Sequence, residues 1–87
     1  MNINNKIYSG LNDKNNNKIY KGDFIKFNSV MQKDKYGNEL IGMVQARVLY
    51  GTYTYNDKII TGYFIANYIE NIPLEKINKI SEVVIKD

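Results

Sequence analysis

Apolar and polar residues alternate along the middle of the chain, and this period of two predicts a half-buried β-strand. The strand is expected to run from Leu40 to Tyr55, with Gly51 marking a bend. Residues 56–58 have the composition of a turn, and residues 59–69 are predicted to return, so that 40–69 form one long hairpin. The alternation is clearest where Val44, Ala46, Val48 and Tyr50 alternate with Gln45, Arg47 and Leu49.

The first part of the chain predicts shorter strands separated by turns. Residues 6–8 and 18–20 are expected to be strands on either side of an Asn-rich turn at 12–17, because Asn and Asp tolerate left-handed backbone angles. A second turn at 21–23 leads into a β-branched and aromatic strand at 24–27. The polar segment 33–38 is expected to be a surface hairpin loop.

The C-terminal part predicts one short helix and a last strand. Pro73 can open a helix over 74–80, in which Leu74, Ile77 and, as a candidate, Ile80 share one face. Residues 82–85 complete the pattern as a strand. The predicted fold class is therefore mainly β: a small, strongly bent antiparallel sheet or an SH3-like barrel, with one short helix near residues 74–80, in a single domain over 1–87.

The segment from Ile7 to Lys26 resembles the signature of the YopX family of phage and prophage proteins. Four short motifs keep the family's order and spacing: Gly-Leu at residues 10–11, Asp-Lys-Asn at 13–15, Ile-Tyr at 19–20 and Gly-Asp at 22–23. Relative to that family the chain looks short, and it has Asn16 in place of the turn Gly and Lys21 in place of Glu. The resemblance implies a small β-rich fold of phage, prophage or mobile-element origin, with no catalytic residues to transfer.

Composition narrows the chemistry. The 87 residues include no Cys and no His, which excludes disulfides, thiolate metal sites and a cysteine nucleophile, and removes the usual general base near neutral pH. No apolar stretch approaches the ~18 residues of a membrane span, so we expect an intracellular protein in the cytoplasm of an infected bacterium. These absences favour binding over catalysis, without cofactor or metal.

Two groups of oxygen ligands need to be weighed. Asp13-x-Asn15-x-Asn17 matches the first half of an EF-hand loop, but Lys18 stands where Gly is required and Phe24 where the bidentate Glu belongs, which favours a plain turn. Asp23, with Asp13 and Glu39, could form a carboxylate site, although Asp23 more simply accepts hydrogen bonds in its own turn. Neither group predicts an enzyme.

Tyrosines and lysines are the best candidates for a binding surface. The chain has eight Tyr and three Phe; Phe24, Phe27 and Phe64 are assigned to the core, whereas Tyr53 and Tyr55, near the hairpin tip, are expected to be exposed. Residues 1–38 carry seven Lys and three Asp, a net charge of +4. The predicted partner-binding residues are Tyr53, Tyr55, Lys58, Lys21, Lys33, Lys35 and Arg47.

The leading hypothesis is a non-enzymatic binding module that modulates or inhibits a host or phage protein, with an anti-defence, anti-CRISPR-like inhibitor of a nucleoprotein complex as its concrete version. In this hypothesis the hairpin around Tyr53 and Tyr55 enters a groove of the partner. Two alternatives stay open: an accessory protein that binds single-stranded nucleic acid, and a sponge for a phosphorylated signalling nucleotide. A homodimer is also open, and no membrane partner is expected.

Overall fold

The computed structural model describes residues 6–67 and 70–84, which form eight β-strands and two short 3-10 turns. The strands are β1 Tyr8–Asn12, β2 Lys18–Tyr20, β3 Phe24–Lys33, β4 Glu39–Arg47, β5 Leu49–Tyr55, β6 Lys58–Ala66, β7 Asn71–Pro73 and β8 Glu82–Val83. The 3-10 turns are Leu74–Lys76 and Asn78–Ile80. The strands pair antiparallel in three small sheets, with orders β1-β2, β4-β3-β8 and β5-β6-β7.

The hydrophobic core lies where the three sheets meet. Each sheet contributes to it: Ile19 comes from β2, Ile25 from β3 and Ile65 from β6, and all three are fully buried. Leu74 and Ile77 cover the core from the 3-10 turns. The predicted fold class, a mainly β domain of small bent antiparallel sheets, is thus confirmed, and the described strands do not close into a barrel.

The prediction of a single hairpin over residues 40–69 is wrong. The alternating segment breaks at Val48, and β4 pairs with β3 whereas β5 pairs with β6. The Val48 N–H donates to the Asp23 carbonyl at 2.8 Å and the Val48 carbonyl accepts from Gly22 N–H at 2.8 Å, which turns the chain from one sheet to the other. Gly51 lies in a regular ladder opposite Gly62, so the bend is not at the glycine; Tyr68 and Ile69 lie outside the described residues.

The predicted helix over 74–80 is replaced by the two 3-10 turns. Leu74 and Ile77 are buried as expected, but Ile80 is exposed. Ile77, with φ of −129°, lies between the two turns and interrupts them, so the three residues do not share one side of a continuous helix. The last strand is confirmed at 82–83, and Ile85 lies outside the described residues. The turns at 12–17, 21–23, 33–38 and 56–58 join the strands that the sequence predicted them to join.

The β3–β4 hairpin extends well beyond the core. Phe27 and Val44 are the last core residues along it, and we refer to residues 28–43, which lie beyond them, as the hairpin arm. The described chain measures 56 × 32 × 19 Å along its principal axes. Its radius of gyration, 14.3 Å, exceeds the about 12 Å of a compact chain of this length.

Candidate functional site

Tyr53, the central residue of the predicted binding hairpin, is buried. It has 7% of its surface exposed, and its ring stacks on Phe64 with 4.2 Å between centroids. Burial raises the pKa of the Tyr53 hydroxyl above its usual value, and the nearby Glu75 and Tyr55 add to the rise. The expectation that Tyr53 is exposed is therefore wrong: Tyr53 lies on the covered face of β5, near Glu75 of the first 3-10 turn, whereas Tyr50 on the other face is exposed.

The other aromatic residues assigned from the sequence differ in how far they are buried. Tyr55 is half-buried and lies at the end of the β5–β6 ladder, opposite the exposed Lys58. Phe27 is in the core as predicted, whereas Phe24 and Phe64 are only half-buried. The β5–β6 tip thus offers Lys58 and part of Tyr55, but not the exposed tyrosine pair that the sequence predicted.

The predicted lysines fall on different elements. Lys33 and Lys35 flank the tip of the arm; Lys33 lies 3.5 Å from the Glu39 carboxylate and Lys35 lies over the Tyr36 ring. Lys21 and Arg47 are at the opposite end of the β3–β4 ladder, about 30 Å away for nine extended residues. The seven residues therefore do not form one contact surface for a small ligand.

Asp13 is a structural residue rather than a calcium ligand. Its carboxylate accepts hydrogen bonds from the backbone N–H groups of Asn15, Asn17 and Val83, at 2.8 to 2.9 Å. Burial acts to raise the Asp13 pKa, but these hydrogen bonds together outweigh it and hold the pKa below its usual value. Both oxygens are thus occupied in joining the first turn to β8.

The other carboxylates of the proposed acidic site are not brought together either. Asp23 accepts a hydrogen bond from Tyr20 N–H at 2.9 Å, as its own turn requires, and Glu39 pairs with Lys33 on the arm. Among the residues that the structure describes, no three acidic side chains come close enough to hold a metal ion. Asp13, Asp23 and Glu39 are thus each engaged in a separate local contact.

The arm presents apolar side chains to solvent. Val30 and Ile41 are direct neighbours across the ladder, and Met43 lies two residues further along the same face. Leu40, on the opposite face, is also exposed. The exposed fractions are 45% for Val30, 60% for Leu40, 60% for Ile41 and 62% for Met43. The sequence did not reveal this surface, because the apolar side chains of the segment 40–43 were assigned to the start of the half-buried strand.

A basic and aromatic pocket lies at the other end of the ladder. The open cavity, about 490 Å³ in volume, is formed where β2, the start of β3, the end of β4 and β8 converge. We call it the basic pocket, and its principal side chains are Lys6, Lys18, Arg47, Tyr20, Phe24 and Asp23. Arg47 was predicted as a binding residue; Lys18 and Tyr20 were missed, although their alternation with the buried Ile19 was visible in the sequence.

Comparison with known proteins adds no further identification: the chain matches no protein-family model, no curated protein and no solved structure. The resemblance to the YopX family stays a prediction based on the residues of its motif. In the described part of the chain, no helix has the length and apolar character needed to cross a membrane.

Proposed function

We propose that this chain is a non-enzymatic binding module that docks onto another protein through the hairpin arm. The observation that supports this most directly is the set of exposed apolar side chains on the hairpin arm, which contributes no described residue to the core cluster. Exposed apolar patches on small soluble domains commonly mark interaction surfaces. The hairpin-insertion hypothesis is thereby kept, but it moves from the β5–β6 hairpin to β3–β4.

The charges of the arm favour a protein partner. Lys33 is paired with Glu39, and Lys35 is adjacent to Asp34, so positive and negative groups balance at the tip. A polyanion gains little from such a surface, whereas an apolar groove gains from burying Ile41 and Met43, by roughly 1.5–3 kcal/mol for each fully buried side chain. Lys33 and Lys35 would then lie at the polar rim of the contact.

The biological setting rests on the sequence motif. The resemblance of residues 7–26 to the YopX signature supports a phage or mobile-element origin, and small proteins of that origin often act on host machinery. Inhibition of a host defence complex, as an anti-CRISPR-like protein would achieve it, is the version to test first. In this version the arm blocks a surface that the host complex needs.

The experiment is affinity capture from a lysate of the bacterium that carries the gene, with three baits. These are the natural chain, an arm variant Ile41→Lys with Met43→Lys, and a control Ile59→Lys, which changes a residue 79% exposed on the other hairpin. We expect one protein to be enriched by the natural chain and the control, and lost with the arm variant. Equal enrichment by all three baits, no enrichment, or an arm-dependent homodimer in size-exclusion chromatography would contradict the proposal.

A further inference from the structure

We infer that the basic pocket is a separate site for single-stranded nucleic acid, in which lysines contact phosphates and the aromatic rings accept a base. This inference does not rest on the proposed function of the arm. The pocket and the arm tip are at opposite ends of the β3–β4 ladder, about 30 Å apart along the strands.

The described side chains of the pocket are mostly cationic. Within residues 6–67 and 70–84, the ion pairs of lysines involve Lys14, Lys26 and Lys33, whereas Lys6, Lys18 and Arg47 make none. Among the described residues that line the pocket, three cations lie with one carboxylate, that of Asp23, which accepts a hydrogen bond from Tyr20 N–H. A chain of phosphates is attracted to such a group of cations.

The cations are placed beside aromatic rings. The Lys6 ammonium lies 5.4 Å from the centre of the Tyr20 ring, and the Arg47 guanidinium lies 5.0 Å from the centre of the Phe24 ring. Both rings are half-buried, so their positions are fixed while part of each surface remains accessible. Aromatic rings and guanidinium groups are the surfaces on which unpaired bases stack, with positive groups tracking the backbone.

The hydrogen bonds of the pocket's backbone favour a nucleic acid strand over a free nucleotide as the ligand. Sites for terminal phosphates commonly use a row of unoccupied backbone N–H groups. Here the N–H groups of Lys21, Gly22 and Asp23 already donate to the carbonyls of Ile7, Val48 and Tyr20, at 2.8 to 3.0 Å. Recognition is therefore left to side chains, which suits an extended chain of phosphates better than one tightly held phosphate group.

The experiment measures fluorescence anisotropy of a labelled oligo(dT) or oligo(U) of about 12 nucleotides. The pocket variant is Lys18→Gln with Arg47→Gln, and the control Lys76→Gln with Lys79→Gln removes the same charge from the two 3-10 turns, outside both proposed sites. All four residues are exposed, and a thermal melt of each variant checks folding. At ~50 mM salt we expect the pocket variant to bind at least about tenfold more weakly and the control within about twofold of the natural chain.

The dependence on salt gives a second, independent reading. Loss of two phosphate contacts should make the negative slope of log K against log salt shallower by about 1.4, while the control keeps the slope of the natural chain. Absence of binding at ~50 mM salt, or equal weakening by both variants, would overturn the inference. So would equal affinity for a mononucleotide, which would indicate a free nucleotide ligand, or for poly-glutamate, which would indicate an acidic protein.

Discussion

At the residue scale, two turns of the chain have the same hydrogen-bond pattern around an Asp side chain. In Asp13–Asn17 and again in Asp34–Asn38, the Asp side chain accepts hydrogen bonds from the backbone N–H groups two and four residues later. The fourth position has a left-handed backbone, with φ of 65° at Asn16 and 87° at Gly37. The Asp-Lys-Asn of the YopX-like motif thus has a structural explanation: it builds a turn.

Removing the Asp13 charge should change how stability depends on pH. The Asp13 pKa is lowered on folding, so its contribution is fully present above the unfolded pKa of about 3.9 and is lost as pH falls through the lower folded value. We expect Asp13→Asn to lower the free energy of unfolding by about 1.5–3 kcal/mol at pH 7 and to reduce the further loss between pH 5 and pH 2. Denaturant unfolding at both pH values measures this.

The matched control is Asp34→Asn in the exposed copy of the turn. Its pKa is lowered too, first by the Asn38 side chain, but the turn lies on the arm and holds no second element. Asp34→Asn should therefore affect stability less than Asp13→Asn. Equal effects of the two substitutions would show that the bond from Val83 to Asp13 is unimportant.

Asn16 offers a test of the left-handed turn position. Because glycine adopts a positive φ without steric cost, Asn16→Gly should leave the free energy of unfolding within about 0.5 kcal/mol of the natural value, even though one exposed hydrogen bond with Asn12 is lost. Asn16→Ala should cost about 1 kcal/mol. Thermal melts measure both, and Asn15→Ala serves as the neighbouring control; a more stable Ala variant would contradict the assigned backbone.

At the element scale, local chemistry was predictable and long-range placement was not. The turns at 12–17, 33–38 and 56–58 follow from Asn, Asp and Gly in the sequence. The break at Val48 depends on hydrogen bonds that Val48 accepts from Gly22 N–H and donates to the Asp23 carbonyl, more than twenty residues earlier in the chain, and no periodicity reveals them.

For the candidate sites too, the sequence indicated the kinds of residue but not which of them come together. The lysines and Arg47 were recognisable as candidates from their charge alone. Which of them converge depends on β2 and β8 reaching the same end of β3–β4, a tertiary fact. Alternation in β5 predicted two faces, but not that the face with Tyr53 would be the covered one.

Tyr53 and Tyr50 allow the two faces of β5 to be compared. Tyr53→Ala removes a buried ring and should lower the free energy of unfolding by about 3 kcal/mol. Tyr50→Ala removes an exposed ring with one edge contact to Tyr63 and should cost about 1 kcal/mol. Denaturant titration measures both; a larger loss for Tyr50→Ala would contradict the assignment of the faces.

At the scale of the whole molecule, the chain is a small core with a long arm on one side and a basic pocket at the base of the same ladder. The two proposed sites do not overlap, so the two proposals are compatible with each other. This arrangement fits a module that acts on a nucleoprotein complex, the form of partner that the sequence suggested. The core needs none of the arm, because its cluster ends at Phe27 and Val44.

The most direct test of the central claim is to shorten the arm. Replacing the whole arm, residues 28–43, by Asn-Gly joins Phe27 to Val44, which already pair across the ladder, through a two-residue turn. We predict that this chain keeps the melting temperature of the natural protein within about 5 °C and no longer captures the partner. A folded, shortened chain that still captures the partner would contradict the account.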